Sequence, residues 1–498
     1  MPSLVTEDEI LTIKSDTSRI LNKISRFLAE KDIPSFIVGG FIRDTLLGRA
    51  TDDIDIAVGA DALEVASQAA GAFDGIFVPL DDINLVGRVI LPAEKLQIDF
   101  SALQGDIRHD LARRDFTIDA MAIGLGEDIT TSFKTKDLID PFNGRDDLRL
   151  RLIRAVSDTI FRDDAVRLLR AVRLAAELNF NINNDTEKLI SRDNSLIAGV
   201  AGERVREELL RLLALPGAGQ RLFYLDKLGL LTALVSELAP LKGVEQPKEH
   251  TWDVFDHSIQ TVAALEFLLR ESTLEYAEEE VLSSVPWSEK LEQHFSREIS
   301  SGSTAKSMLK LAALLHDIAK PQTKTIEEGR MRFLGHPETG AATAASIMER
   351  LRFSNKEIQL VALLVKYHLR PTQMSNEGMP TDRAIYRYFR DTGEAGIDLL
   401  YLCLADHLAA RAATLDIIQW REHCRMTEYV LEKHFNEANI SSPPKILDGH
   451  EIMKILNLDP GPQIGKLLEE LREAQGAGEI STREQALAYI RQLLSEMK

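Results

Sequence analysis

The sequence predicts an α+β chain: a mixed-sheet head in the N-terminal part, followed by an all-α neck, body and tail. Three observations carry this. Between Phe36 and Phe100, short apolar runs alternate with Gly, Pro and Asp punctuation, as strands do. From about Leu150 onward the strand patterns stop and apolar residues recur at helical spacing. The chain has 498 residues, enough for several cores.

The head is organised around Ser35–Val58, SFIVGGFIRDTLLGRATDDIDIAV. Phe36–Val38 reads as a buried strand, Gly39 and Gly40 break it, and Phe41–Leu47 reads as a short helix. Asp53-Ile54-Asp55 lies in a second strand, where alternation puts both carboxylates on one face. Two such groups repel unless a cation sits between them. Mg²⁺ is the hard cation that binds one or two carboxylates together with substrate phosphates. The Gly-Gly turn offers backbone N–H groups to an anion, and Arg43 offers a guanidinium fork for phosphate oxygens. Each motif alone is usually a turn or a solvated strand end. Together, in this order, they imply phosphoryl or nucleotidyl transfer.

Gly39-Gly40-Phe41-Ile42-Arg43-Asp44, followed by Asp53-Ile54-Asp55, resembles the head motif of the class II tRNA nucleotidyltransferase and bacterial poly(A) polymerase family, Gly-Gly-x-Val-Arg-Asp then Asp-x-Asp. Ile for Val is the one departure. The resemblance implies a nucleotidyltransferase head in which Asp53 and Asp55 are catalytic and hold Mg²⁺, with Gly39, Gly40, Arg43 and Asp44 at the nucleotide. Asp110–Ala122 resembles the second motif, Arg-Arg-Asp-Phe-Thr-x-Asn-Ala. By that resemblance Arg113 and Arg114 meet triphosphate oxygens and Asp115 accepts from a ribose hydroxyl. Asp119 stands where the family usually has Asn, and a carboxylate there needs a partner or a position facing away. Asp99, on a later strand, is read as a supporting third carboxylate or a surface residue.

The neck runs through Phe161–Arg173. Asp164 and Arg167 are three apart, so they lie on one helix face, which Arg170 continues. Alone this is an ordinary ion pair. The resemblance, which extends to Phe180, implies that these residues read the base edge of ATP or CTP without a nucleic-acid template. Arg145–Arg173 holds 8 Arg against 5 Asp, a local basic surplus in a chain of net charge -19. That overall charge argues against a general nucleic-acid binder and places RNA contact in a patch. Glu203–Glu208 resembles the last neck motif.

A second chemistry follows. His257, the pair His316-Asp317 at the end of an apolar helix, His336, His368 and Asp406 are spaced along the body. Imidazoles and carboxylates of this kind suit a transition metal or Mg²⁺. The series resembles the HD metal-dependent phosphohydrolase superfamily. It implies that His257, His316, Asp317 and Asp406 hold a divalent metal, with His336 and His368 near a second.

The expected division is an N-terminal helix 1–31 (within Glu7–Lys31), the head 32–148, a neck 149–229, an HD body 230–435 and a helical tail 436–498. Glu271–Lys306 reads as a mobile surface insertion. The tail is expected to touch RNA through Lys454 and Lys466. Two cysteines make no disulfide framework and fit a cytoplasmic location; no membrane-length apolar run is present. The resemblance implies addition of CCA, or CC or A alone, to tRNA 3′ ends from CTP and ATP. Leu80–Val89 departs from the Gly- and Thr-rich loop associated with full CCA addition. The alternatives are poly(A) synthesis on RNA, or hydrolysis in the HD body with the head delivering RNA.

Overall fold

The computed structural model describes residues 10–12, 15–82, 85–126, 132–247, 250–271, 277–374, 378–411, 414–436 and 445–496. They form two compact units, Met1–Val200 with Leu228–Leu230, and Ala201–Lys227 with Leu231–Lys498. The stretch 149–229, expected as one neck, is divided between them at Val200.

The first unit begins with β1 (Ile10–Thr12) and α1 (Ser15–Ala29), then β2 (Ser35–Val38), α2 (Gly40–Leu46), β3 (Asp53–Val58) and α3 (Ala62–Ala72). β4 (Ile76–Asp81), β5 (Val86–Leu91), β6 (Leu96–Ala102), α4 (Ile107–Ala112), β7 (Ala122–Gly124), β8 (Ser132–Lys134) and β9 (Leu138–Ile139) follow. Seven strands make one sheet in the order β4-β5-β6-β3-β2-β7-β9. Only β3 and β6 run parallel, so the sheet is mixed. The inward residues Ile37, Ile54, Ile56, Val89, Ile98 and Phe100 are almost fully buried, and this core fixes the register by which Asp55 lies beside Asp99. The Asp61 side chain accepts the Leu63 and Glu64 N–H groups and so starts α3.

Two expectations change here. Of the helix predicted over Glu7–Lys31, Ser15–Ala29 is helical, Ile10–Thr12 pairs antiparallel with β8 instead, and residues 7–9, 13 and 14 lie outside the described residues. Partner strands override the helical spacing of a few isoleucines. Strands also persist beyond Leu150: β10 (Leu152–Ile153) pairs parallel with β11 (Asn181–Ile182). Two-residue strands are too short to leave a period in the sequence. Between and after them lie α5 (Gly144–Leu150, before β10), α6 (Ile160–Asp163), α7 (Arg167–Leu178) and α8 (Asn184–Asp193).

Among its described residues the second unit is helical, with two hairpins. Its centre packs the helices Val254–Leu268, Ala305–Leu315, Asn355–Tyr367 and Ala395–Arg411, with His336–Arg350 against Asn355–Tyr367. The hairpin Lys324–Glu327/Arg330–Phe333 was not expected in an all-helix body; its turn, Glu328-Gly329, has positive φ at both residues (50° and 76°), as a tight two-residue hairpin turn requires. The predicted mobile insertion is instead packed structure among its described residues. Glu279–Ser283 and Glu289–Ser296 are helical, Leu291 and Phe295 are buried, and the Trp420 indole donates to the Val281 carbonyl at 2.9 Å. Apolar residues spaced among the acidic ones supply that anchor, which charge counting overlooks. The tail helices Gly449–Leu456, Pro462–Gly476 and Arg483–Glu496 share a small core of Ile452, Leu467, Leu471 and Ile490. Glu473 of this tail pairs with Arg387 and Arg390 on the helix Asp382–Thr392. Among the described residues no helix is long and apolar enough to cross a membrane.

Candidate functional site

The turn between β2 and α2 is built by glycine. Gly39 has φ 72° and ψ -141°, a region other residues avoid. A Cβ there would lie 2.9 Å from Asp55 Oδ2 and 3.0 Å from Arg114 Nη1. The turn therefore closes directly onto the carboxylate strand. β3 alternation brings Asp53, exposed, and Asp55, half-buried, to one face, as the sequence predicts. Burial pushes the Asp55 carboxyl up to about 6, opposed by Arg114 and assisted by Asp99. Asp99 has its own partner, a two-pronged bond from Arg88 at 2.7 and 2.8 Å.

Arg43 meets two carboxylates. Its Nη1 donates to Asp119 at 2.7 Å, while Nε and Nη2 donate to Asp44 at 3.1 and 3.0 Å. Asp119, the residue that departs from the family motif, thus has its partner.

A cleft of about 280 Å³ is lined by Val86, Ser101, Ala102, Gln104, Asp110, Arg113, Arg114, Asp115, Arg167 and Arg170; Arg114 is also the side chain that the Gly39 turn approaches. The cleft unites the second motif with the Arg-rich helix, more than fifty residues apart in sequence. Asp115 is buried and faces Arg170 Nη1 at 3.2 Å. Burial would raise its carboxyl, but Arg170 and Arg167 outweigh that and hold it below the usual range. Arg167 Nη2 donates to the Arg113 carbonyl at 3.0 Å.

Asp164 and Arg167 do not share one helix. α6 ends at Asp163, Asp164 is extended (φ -153°, ψ 103°), and Arg167 begins α7. Asp164 Oδ1 accepts the Val166 N–H at 3.3 Å, the local bond by which Asp favours helix starts over interiors. The pair still meets across the break, Arg167 Nε lying 4.0 Å from Asp164 Oδ2. Sequence reading missed Ser101 and Gln104; Ser101 lies two residues beyond Asp99 on β6, so alternation from Asp99 could have found it.

In the second unit the six predicted ligands converge. His257, His316 and Asp406 form one group and Asp317, His336 and His368 a second, each with ligand atoms within 4.8 Å of one another. Asp317 joins them: Oδ2 is 3.1 Å from His316 Nε2, and Oδ1 is 3.4 Å from His336 Nε2. His257 Nε2 lies 2.9 Å from Asp406 Oδ1. The Nδ1–H groups of His316, His336 and His368 donate to the carbonyls of Ala313, Phe333 and Val365 at 2.8, 2.7 and 2.7 Å, turning Nε2 inward. Burial pushes His368 down to about 4 and lowers His336, favouring the neutral, ligating form. Asp317 stands with His336 and His368 as well as beside His316 and His257. Lys320, 2.6 Å from Asp317 Oδ2, and His250, whose ring packs on His257 at 5.3 Å, also border the site and were not singled out from sequence.

The Poly A polymerase head domain matches residues 35–154, the HD domain residues 254–411, and the probable RNA and SrmB- binding site of polymerase A residues 179–242. A CC-adding tRNA nucleotidyltransferase from Thermus thermophilus is 33% identical over 472 residues, 93% of this chain and 94% of that protein. The chain belongs to the tRNA nucleotidyltransferase and poly(A) polymerase family. An A-adding tRNA nucleotidyltransferase from Deinococcus radiodurans is 32% identical over 467 residues, covering 92% of this chain and 95% of that relative. Among solved structures, a CCA-adding enzyme with CTP superposes with a TM-score of 0.65 at 21% identity, covering 98% of this chain and all of the other. The Thermotoga maritima CCA-adding enzyme complexed with tRNA gives 0.60 at 20% identity, covering 99% of this chain and 100% of that one. These two share the fold.

The nucleotidyltransferase head and the HD body each pass a donor test for divalent metal. In the head, two carboxylates share a face at the start of β3, where Asp53 is exposed, the oxygen-only donor set of a hard cation. In the HD body, the buried His257 Nε2, His316 Nε2 and both Asp317 oxygens are turned toward one another and toward Asp406, His336 and Lys320 at 2.6–3.4 Å, in ion-pair contacts without good hydrogen-bond geometry. Buried polar atoms in such a cluster are what a metal would satisfy.

Proposed function

We propose that this nucleotidyltransferase adds CCA, or its CC or A part, to the 3′ end of tRNA from CTP and ATP without a nucleic-acid template. The observation that carries the reading is the same-face pair Asp53 and Asp55, with Asp55 set against the Gly39 turn beside Arg114, which lines a cleft together with three further arginines. Bound at the two carboxylates, Mg²⁺ would lower the pKa of the attacking 3′ hydroxyl and neutralise triphosphate charge. The chain's own residues do the rest. Gly39 and Gly40 let phosphate approach the backbone. Arg113 and Arg114 orient the triphosphate while pyrophosphate leaves. Asp115, kept ionised by Arg170, accepts from the ribose hydroxyl. Asp164 accepts from the exocyclic amine that adenine and cytosine share, and Arg167 donates to a ring acceptor.

The division of labour proposed with this is a head at 32–148, a base-reading neck at 149–229, an HD body at 230–435 and a tail at 436–498 that touches RNA near Lys454 and Lys466. Cys403 and Cys424 are both free thiols, which suits the reducing cytoplasm.

The test is extension of three tRNA transcripts, ending before CCA, after C and after CC, with CTP and ATP supplied separately. Addition that stops at CC, at A or at CCA identifies the product; unlimited A addition on unrelated RNA favours poly(A) synthesis. Asp53→Asn and Asp55→Asn should each abolish incorporation while tRNA binding in a filter assay persists. Incorporation by either variant near the wild-type rate removes the pair from the mechanism.

A second reading has its own observation, the two joined histidine-carboxylate groups. Metal-dependent phosphatase or phosphodiesterase activity in the HD body fits that donor set. Phosphate release without nucleotide incorporation would make hydrolysis the main activity.

A further inference from the structure

We propose that Arg88 is a positioning residue of the head: its two-pronged grip holds Asp99 in line with Asp55, and through Asp99 it sets how tightly the Asp53–Asp55 face takes its divalent cation. This rests on the proposed nucleotidyl transfer and adds to it a residue that neither the motifs nor the cleft lining single out.

The sheet register makes the arrangement. Asp55 lies beside Asp99 across the parallel pair β3–β6, and Asp99 lies beside Arg88 across the antiparallel pair β5–β6. Residues paired in this way point to one face. On one side of this row is the row Asp53–Gln97–Ile90, and on the other is Ala57–Ser101–Val86. Ser101 and Val86 line the cleft, so Asp99 and Arg88 stand between cleft lining and the row of Asp53. The opposite face is packed. Ile54, Ile56, Val89, Ile98 and Phe100 are buried there, and a Cβ on Gly87 would lie 2.8 Å from the Ala66 Cβ. A slip of one residue would turn Arg88 and Asp99 into that core, which fixes the row.

Three carboxylates, Asp53, Asp55 and Asp99, share the polar face, and like charges on neighbouring strands repel. Arg88 closes the row. Its Nε donates to Asp99 Oδ1 at 2.7 Å and its Nη2 to Oδ2 at 2.8 Å, the parallel fork that fixes the plane of a carboxylate as well as offsetting its charge. The Arg88 and Asp99 side chains are 33% and 23% exposed, so water is within reach of both. Released from the fork, Asp99 would turn toward water and away from Asp55. Held, it stays beside the metal-facing pair. Hydrogen bonds that orient a metal's carboxylate surroundings commonly govern its affinity.

The experiment uses the full-length protein without nucleotide. Mn²⁺ is titrated as the probe for Mg²⁺, with the free ion read by electron paramagnetic resonance; the sites lost in Asp53→Asn/Asp55→Asn are those of the head. Arg88→Ala should weaken these sites about tenfold. Extension of tRNA should then need correspondingly more Mg²⁺ for its half-maximal rate, while nucleotide KM at saturating Mg²⁺ stays within about threefold. Because Arg88 acts through Asp99, Arg88→Ala/Asp99→Asn should bind Mn²⁺ no more weakly than Asp99→Asn alone. Wild-type incorporation tests the underlying reading; the Mn²⁺ isotherms test Arg88 by themselves. Head sites of Arg88→Ala that bind Mn²⁺ within about threefold of wild type, or more tightly as loss of a simple counter-charge would make them, overturn the inference. So does a rise of about tenfold in nucleotide KM with Mn²⁺ affinity kept, the mark of a phosphate contact. Losses that add in the double variant overturn it too. If the thermal melt shows that Arg88→Ala does not fold, Arg88→Gln carries the same comparison.

Discussion

Replacing Gly39 by Ala isolates the geometry on which the head depends. The backbone there, φ 72° and ψ -141°, costs a residue with a Cβ about 1–3 kcal/mol. The new methyl would also sit 2.9 Å from Asp55 Oδ2 and 3.0 Å from Arg114 Nη1, where ordinary contact starts at 3.4 Å. Either the turn or both side chains must move by about half an ångström. A 1 Å misplacement near reacting groups costs about a hundredfold in rate, so half of that predicts about a tenfold loss. Gly48→Ala is the matched control: φ is 67°, and the added Cβ meets nothing within 4 Å. It carries the backbone penalty, about 1–2 kcal/mol, without the collision. Single-turnover extension of a tRNA transcript and a thermal melt of each variant make the comparison. Gly39→Ala should fall at least about tenfold below Gly48→Ala at similar melting temperature. Rates within about threefold of each other, both proteins being folded, would refute the claim that the turn sets the position of Asp55.

Asp164→Ala should relax rejection of UTP and GTP and slow the native nucleotide, since a site built round a hydrogen bond rejects analogues that cannot make it; unchanged selectivity among four NTPs would reduce the Asp164–Arg167 pair to a local ion pair. His316→Ala with Asp317→Ala should strip divalent metal from the HD body, measured by elemental analysis, while nucleotide addition continues; loss of both in a folded protein argues against independent centres. The tail should loosen in acid. Arg387 holds the Glu473 carboxyl below its ordinary range, against the effect of burial. A lowered folded value means that the stabilisation is complete above the ordinary glutamate range and disappears as pH falls through the folded value. Hydrogen exchange in Pro462–Gly476 should therefore rise on acidification, and Glu473→Gln should flatten that rise; the same acid profile in both proteins would count against the pair.

Much of the head was legible because its signals are local. Gly39-Gly40 declares a turn, and Asp53 and Asp55 are two apart on a strand, so their shared face follows from alternation alone. The pairing of Asp115 with Arg170 was not legible, because it depends on how α7 meets the second motif in space. One partner of Arg43 was hidden for the same reason: Asp119, which accepts from its Nη1, lies seventy-six positions away. Asp164 was placed on a continuous helix because spacing cannot register a break made by one side chain accepting the Val166 N–H. In the body, the ligand set was readable from residue type and order, whereas Asp317's place between both groups required the fold. The packed segment around Phe295 was hidden by its acidic neighbours.

The three histidines at the ends of helices or turns in the HD body share one device. His316, His336 and His368 each donate to the carbonyl three residues earlier in the chain. Their ring orientation is thus dictated by main chain, and no neighbouring side chain is needed to hold it. Residues 313, 333 and 365 can drift over evolutionary time, provided the backbone course is kept, without disturbing how the imidazoles point. Such a centre tolerates wide sequence divergence around it, and its ancestry is better traced through the ligands and their helix ends than through the residues that wrap them.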